Sequence, residues 1–135
     1  MEIYGQYMPE HKIYRKVCNA ALNGVKELII KGDGNNLIDT MYIEDYVDII
    51  IKIIKSNIWN ETIDICKSSP VTIRELIYSI YDVVGREKPK IRFQGIPTEN
   101  TGFTLSNNEM IKMFGITPET SLHVGLIKWV NDGLK

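Results

Sequence analysis

Asp33, Asn35 and Glu44 stand first, third and twelfth in one short span, the spacing of the oxygen donors in a calcium-binding helix-loop-helix loop. Leu37 takes a position that such a loop needs for a ligand, and Ile38 takes the place of the glycine that makes its sharp turn. Calcium chemistry is therefore excluded, and Gly32-Asp33-Gly34-Asn35 is expected to be a β-turn, because glycine and asparagine tolerate positive φ. His11 and His123 stand alone, without metal-ligand spacing, and read as surface or helix-terminal histidines. Ser68-Ser69 lacks the Gly-x-Ser-x-Gly frame of a nucleophile elbow and reads as a strand-to-helix turn. Cys18 and Cys66 sit in apolar segments and are expected to be two buried thiols rather than a disulfide. Asp39 and Asp45 flank a short strand, where carboxylates brace a loop and meet the positive end of a helix.

The elements that must position these groups follow from hydrophobic period and punctuation. Helices are expected over 10–23, 44–56, 73–84, 106–114 and 121–132, and strands over 28–30, 40–43, 62–66 and 90–94. Residues 4–9, 32–35 and 95–102 read as loops. Thr72 with Glu75, and Ser106 with Glu109, have the spacing of capping boxes, and Gly24, Gly85 and Gly115 stand where helices stop. In the 44–56 helix, Asp48, Lys52 and Lys55 make a narrow polar stripe. Tyr46, Val47, Ile49, Ile50, Ile51, Ile53 and Ile54 cover the rest, an arc wide enough to call for burial on more than one side. The fold class is α/β (mixed α+β), with about five helices and four short strands in one domain over residues 1–135.

Composition narrows the function. The chain is 44% hydrophobic and 24% charged with a formal net charge of −1, so neither nucleic acid nor a polyanionic surface is an expected partner. No apolar stretch reaches the roughly 18 residues of a membrane span, and Lys52 interrupts the run Ile49 to Ile54. The first residues lack the basic start and apolar core of a signal peptide, so a cytoplasmic location is expected.

Four segments, in order, resemble a known family. Ile3-Tyr4-Gly5-Gln6 is similar to a Val-Tyr-Gly-Pro turn. Ala20-Ala21-Leu22-Asn23-Gly24 through Ile30-Lys31-Gly32-Asp33-Gly34 is similar to a helix, strand and loop leading into a nucleotide site. Ile38-Asp39-Thr40-Met41-Tyr42-Ile43-Glu44-Asp45 is similar to Arg-Asp-Phe-x-Tyr-Val-x-Asp. Ser69 to Leu76, with Phe114 to Leu126, is similar to the closing helices. The family is that of the extended short-chain dehydrogenase/reductases, the NAD-dependent epimerases and dehydratases (isomerases and lyases) that act on nucleotide sugars.

The resemblance implies a carboxyl-terminal, substrate-binding part without the Rossmann half. No Gly-x-x-Gly occurs, so the turn that presents backbone N–H groups to a pyrophosphate is missing, and no tyrosine has a lysine four residues later. Catalytic and cofactor-binding residues are therefore expected to be none. NAD or NADP would belong to the full-length enzyme, which by resemblance oxidises a sugar hydroxyl and then epimerises, dehydrates or reduces the keto intermediate. Lys31 and Asp64 occupy positions similar to the family's nucleotide contacts. Ile38 stands where the family presents an arginine to the substrate's diphosphate, and a second arginine is absent from 98–102. The expected partners are a nucleotide sugar and the missing amino-terminal Rossmann domain or a partner chain. The alternative is a non-catalytic binding or interaction module derived from the same fold.

Overall fold

The computed structural model describes residues 1–95 and 104–134. In chain order its elements are β1 (Glu2–Tyr4), α1 (Ile13–Leu22), β2 (Glu27–Lys31), β3 (Leu37–Ile38), β4 (Thr40–Tyr42), α2 (Ile43–Lys55), β5 (Val71–Thr72), α3 (Ile73–Val83), β6 (Lys90–Gln94), α4 (Asn108–Phe114) and α5 (Leu122–Asn131). The mixed α/β class and the five helices agree with the sequence. Among the described residues the strands are six, in three pairs. β1 and β4 run parallel, β2 and β6 run parallel over five residues, and β3 and β5 are antiparallel.

Three short strands have no sequence signal. β1 falls just ahead of and into the segment read as a loop, and β3 and β5 are too short to show a period of two. The expected strand over 62–66 does not form. Its alternation is real, but it reflects Ile63 and Ile65 packing on a small cluster of Met41, Ile49, Met110 and Ile116, with Cys66 buried, rather than pairing in a ladder. The expected box at Ser106 and Glu109 is also absent. Asn107 is the N-cap and makes no side-chain cap, while the Ser106 Oγ accepts from the Asn108 N–H at 3.3 Å. Most of the loop expected over 95–102, including the missing second arginine, lies outside the described residues.

The other expected box forms. Thr72 Oγ1 accepts from the Glu75 N–H at 3.1 Å, and Glu75 Oε2 accepts from the Thr72 N–H at 2.7 Å, the reciprocal box that starts α3. At 32–35 the Asn35 N–H donates to Asp33 Oδ1 at 2.9 Å, an Asx-turn in place of the expected β-turn. Gly34 adopts φ +80° and lies against the Phe93 ring, so no Cβ fits there.

The main core gathers the apolar faces of α1, α3 and α5 around Tyr4. Tyr14, Val17, Cys18 and Ala21 face it from α1, Leu76, Ile77, Ile80 and Tyr81 from α3, and Leu126 and Trp129 from α5. The Tyr4 ring stacks on Tyr14 at 5.2 Å between centroids and meets Trp129 edge-on at 6.4 Å. Its hydroxyl donates to the Leu122 carbonyl at 3.2 Å. Gly125 is required in α5 because a Cβ there would collide with that hydroxyl.

Asp39 joins the two halves of the chain. Its carboxylate, 4% exposed, accepts from the Ser68 N–H at 3.1 Å and the Ser69 N–H at 3.2 Å, and its carbonyl accepts from the Glu2 N–H at 2.8 Å. Asp45 accepts from Thr120 N at 2.8 Å and Thr120 Oγ1 at 2.6 Å, anchoring the approach to α5. Both acids are braces, as the sequence suggests. Asp39→Ala removes both hydrogen bonds to the Ser68 and Ser69 amides and is expected to lower stability by about 2 kcal/mol in urea unfolding. A loss below about 1 kcal/mol would show that the brace is dispensable.

Candidate functional site

Lys31 ends β2, at the carboxyl end of the parallel β2–β6 pair, where open α/β sheets place their ligands. Beside it, between β2 and α1, lies a cavity of about 340 Å³. Ile13 and Val17 of α1 and Leu28 and Ile30 of β2 form an apolar floor that continues into the main core. His11, Lys16 and Lys31 stand at its rim, and no carboxylate lines it. The local sequence explains the arrangement. Ile13, Lys16 and Val17 follow helical spacing, so Lys16 rises beside the apolar stripe, and His11 lies in the turn that precedes α1.

The neighbouring carboxylates are engaged elsewhere. Glu2 pairs with Lys12 at 3.1 Å, Glu10 with Arg15 at 3.7 Å, and Glu27 with Arg92. Among the described residues, His11, Lys16 and Lys31 carry no ion pair. A floor of aliphatic carbon beside two lysines and a histidine suits a ligand with a flat apolar part and an anionic part.

Asp64 does not line this cavity. It is exposed on the irregular segment that precedes α3, and the structure does not bring it to Lys31. His11, read from sequence as an isolated surface group, and Lys16, given no role, were missed. Only the position of Lys16 beside the Ile13–Val17 stripe could have pointed to the cavity. Ile38 packs on the rim of the main core from β3.

Two other places can be set aside. A larger hollow of about 600 Å³, lined by Lys26, Arg86, Lys88 and Lys90, lies at the opposite, amino end of the same strand pair. There Arg86 donates to the Leu22 carbonyl at the end of α1, the ordinary use of a cation at a helix C-terminus. Ser68 is not a free nucleophile either: its hydroxyl donates to the Leu105 carbonyl at 2.9 Å and accepts from the Asn107 N–H at 2.8 Å.

Residues 1–66 match the model of the NAD dependent epimerase/dehydratase family. GDP-L-fucose synthase 1 of Arabidopsis thaliana is 28% identical over 114 residues, 84% of this chain and 35% of that protein. Among solved structures, RMD from Pseudomonas aeruginosa complexed with NADPH superposes with a TM-score of 0.86 at 15% identity, over 97% of this chain and 45% of that one. The UDP-glucose 4-epimerase of Thermotoga maritima, solved with UDP-glucose, gives 0.79 at 20% identity over 99% and 45%.

The match over residues 1–66 and the relatives support the extended short-chain dehydrogenase/reductase family. The chain spans 35% to 40% of the length of the curated relatives it matches.

Neither cysteine of the chain is placed to act as a nucleophile. Both are free and buried, and burial pushes the Cys18 thiol up to about 12 from an ordinary 9.0. Burial likewise raises Tyr4 and Tyr14. In each case the unfolded chain loses its proton at lower pH than the folded one. Stability is therefore full below about pH 9 and falls as pH rises through 9 to 12. The urea midpoint is expected to be level from pH 7 to 8.5 and to drop by pH 10.5; a midpoint unchanged at pH 10.5 would contradict the burial of these groups.

Proposed function

We propose that this chain is the substrate-binding, carboxyl-terminal part of an NAD(P)-dependent nucleotide-sugar epimerase or dehydratase. In this reading residues 1–135 form one substrate-binding domain working in the cytoplasm. An amino-terminal dinucleotide-binding domain, or a partner chain, supplies the cofactor site and the tyrosine and lysine.

The observation that carries this reading is the unfinished β1–β4 sheet. Parallel strands occur almost only in sheets of several strands covered on both faces, yet among the described residues this sheet has two strands. The helix that leaves it is unfinished too. Ile49 of α2 is buried, but Val47, Ile51 and Ile54, at one helical spacing, are 45%, 42% and 56% exposed. An adjoining parallel-sheet domain would continue the first and cover the second. The sequence itself does not fit a dinucleotide, having no glycine-rich phosphate turn.

On this reading the chain's own residues bind and orient the sugar nucleotide. The α1–β2 cavity takes the nucleotide, with Lys31 as a phosphate contact, and Asp64 is proposed as a second substrate contact. The alternative, a non-catalytic binding or interaction module on the same fold, draws support from Ile38, whose side chain sits against the core and has no donor for phosphate.

Calorimetry separates the two. The purified chain is expected to bind UDP-glucose or a GDP-sugar, to weaken roughly tenfold with Lys31→Gln and severalfold with Asp64→Asn, and to show neither turnover nor NADH or NADPH binding. Turnover, or a micromolar affinity for either reduced cofactor, would refute the division of labour. Silence toward every sugar nucleotide would favour the interaction module.

A further inference from the structure

The nucleotide reading, on which this inference rests, leaves its anion without the expected arginine. Ile38 has no donor, and it is held in the β3–β5 ladder opposite Val71 and against the core. A diphosphate bound in a partly apolar cleft needs charge-assisted donors. We propose that His11 and Lys16, together with Lys31, form the diphosphate-holding rim of the site, replacing the family's arginine with groups from the start of α1.

Three observations converge on this assignment. All three side chains border one cavity, and no acidic residue does. The chain holds 17 acidic residues against 16 lysines and arginines, so a cavity whose charged lining is lysine alone departs from its overall balance. The carboxylates of Glu2, Glu10 and Glu27 are each paired with another cation and that of Asp33 is bonded to Asn35, and no ion pair among the described residues reaches the rim. The like charges of Lys16 and Lys31 beside one hollow repel each other, and an anion bound between them removes that repulsion, with the His11 imidazole as a further donor. The apolar floor of Ile13, Val17, Leu28 and Ile30 offers the adjoining surface on which a base can lie.

The rim also differs in kind from an arginine. Guanidinium grips two oxygens in a fixed fork, whereas lysine and imidazole act as separate point donors. The site is therefore expected to discriminate by phosphate number and charge more than by sugar geometry.

The test is an amide-resolved NMR titration of the isotope-labelled chain with UDP and GDP, with uridine and guanosine as phosphate-free controls. UDP or GDP is expected to shift the amides of 11–17 and 29–32. Lys16→Gln and His11→Gln are each expected to weaken the diphosphate about tenfold, with the nucleoside held within twofold and Lys16→Arg retaining affinity. Because the three side chains stand at the rim and not in the core, the variants' free spectra should match the parent's. A double variant that binds UDP and GDP as the parent does would overturn the proposal and leave the nucleotide reading standing. Equal losses for diphosphate and nucleoside would also overturn it, by showing a packing role. A parent chain that binds none of the four ligands would overturn both.

Discussion

A buried carboxylate bound by two backbone amides is the constraint on which this structure turns. Asp39 cannot reach water, so the Ser68 and Ser69 N–H groups must come to it. That requirement fixes the approach to α3, and α3 brings the largest share of the core. The same residue's carbonyl receives Glu2, which sets the register of β1 beside β4. Tyr4, at the end of β1, then reaches the centre of the core, where α1 and α5 close around its ring. One residue therefore ties together the start, the middle and, through Tyr4, the end of the chain.

The nucleotide-binding account depends on that geometry at one remove. α1 owes its place to Tyr14, Val17 and Cys18 packing under Tyr4, and only then does its outer edge stand beside β2. The cavity is the space left between a helix fixed by the core and a strand fixed by β6. Its basic rim is built from positions that packing leaves free, which is where charge can be varied at little structural cost. The exposed stripe of α2 and the β1–β4 pair are the surface on which the account places a neighbouring domain.

Much of this was legible in the sequence. Helices with a clear apolar face were found within a few residues, β6 was found at its full extent, and the Thr72–Glu75 box set the start of α3. What failed was pairing. A strand of two or three residues has no period to read, so β1, β3 and β5 exist only because their partners lie opposite. The alternation over 62–66 imitated a strand because Ile63 and Ile65 face a cluster made by distant residues. The site suffered in the same way. Lys31 is singled out by its family position, but His11 comes to the same cavity only because β2, later in the chain, folds back beside it. Asp64 was singled out by the same resemblance, and it rests on an exposed segment away from the cavity.

A crystal structure of the chain grown with UDP or GDP tests the central claim most directly. The account predicts the nucleotide in the α1–β2 cavity, its base over Ile13 and Val17 and its phosphate oxygens within hydrogen-bond distance of Lys16 and Lys31. A nucleotide seated instead in the hollow of Lys26, Arg86, Lys88 and Lys90, at the other end of the strand pair, would contradict it.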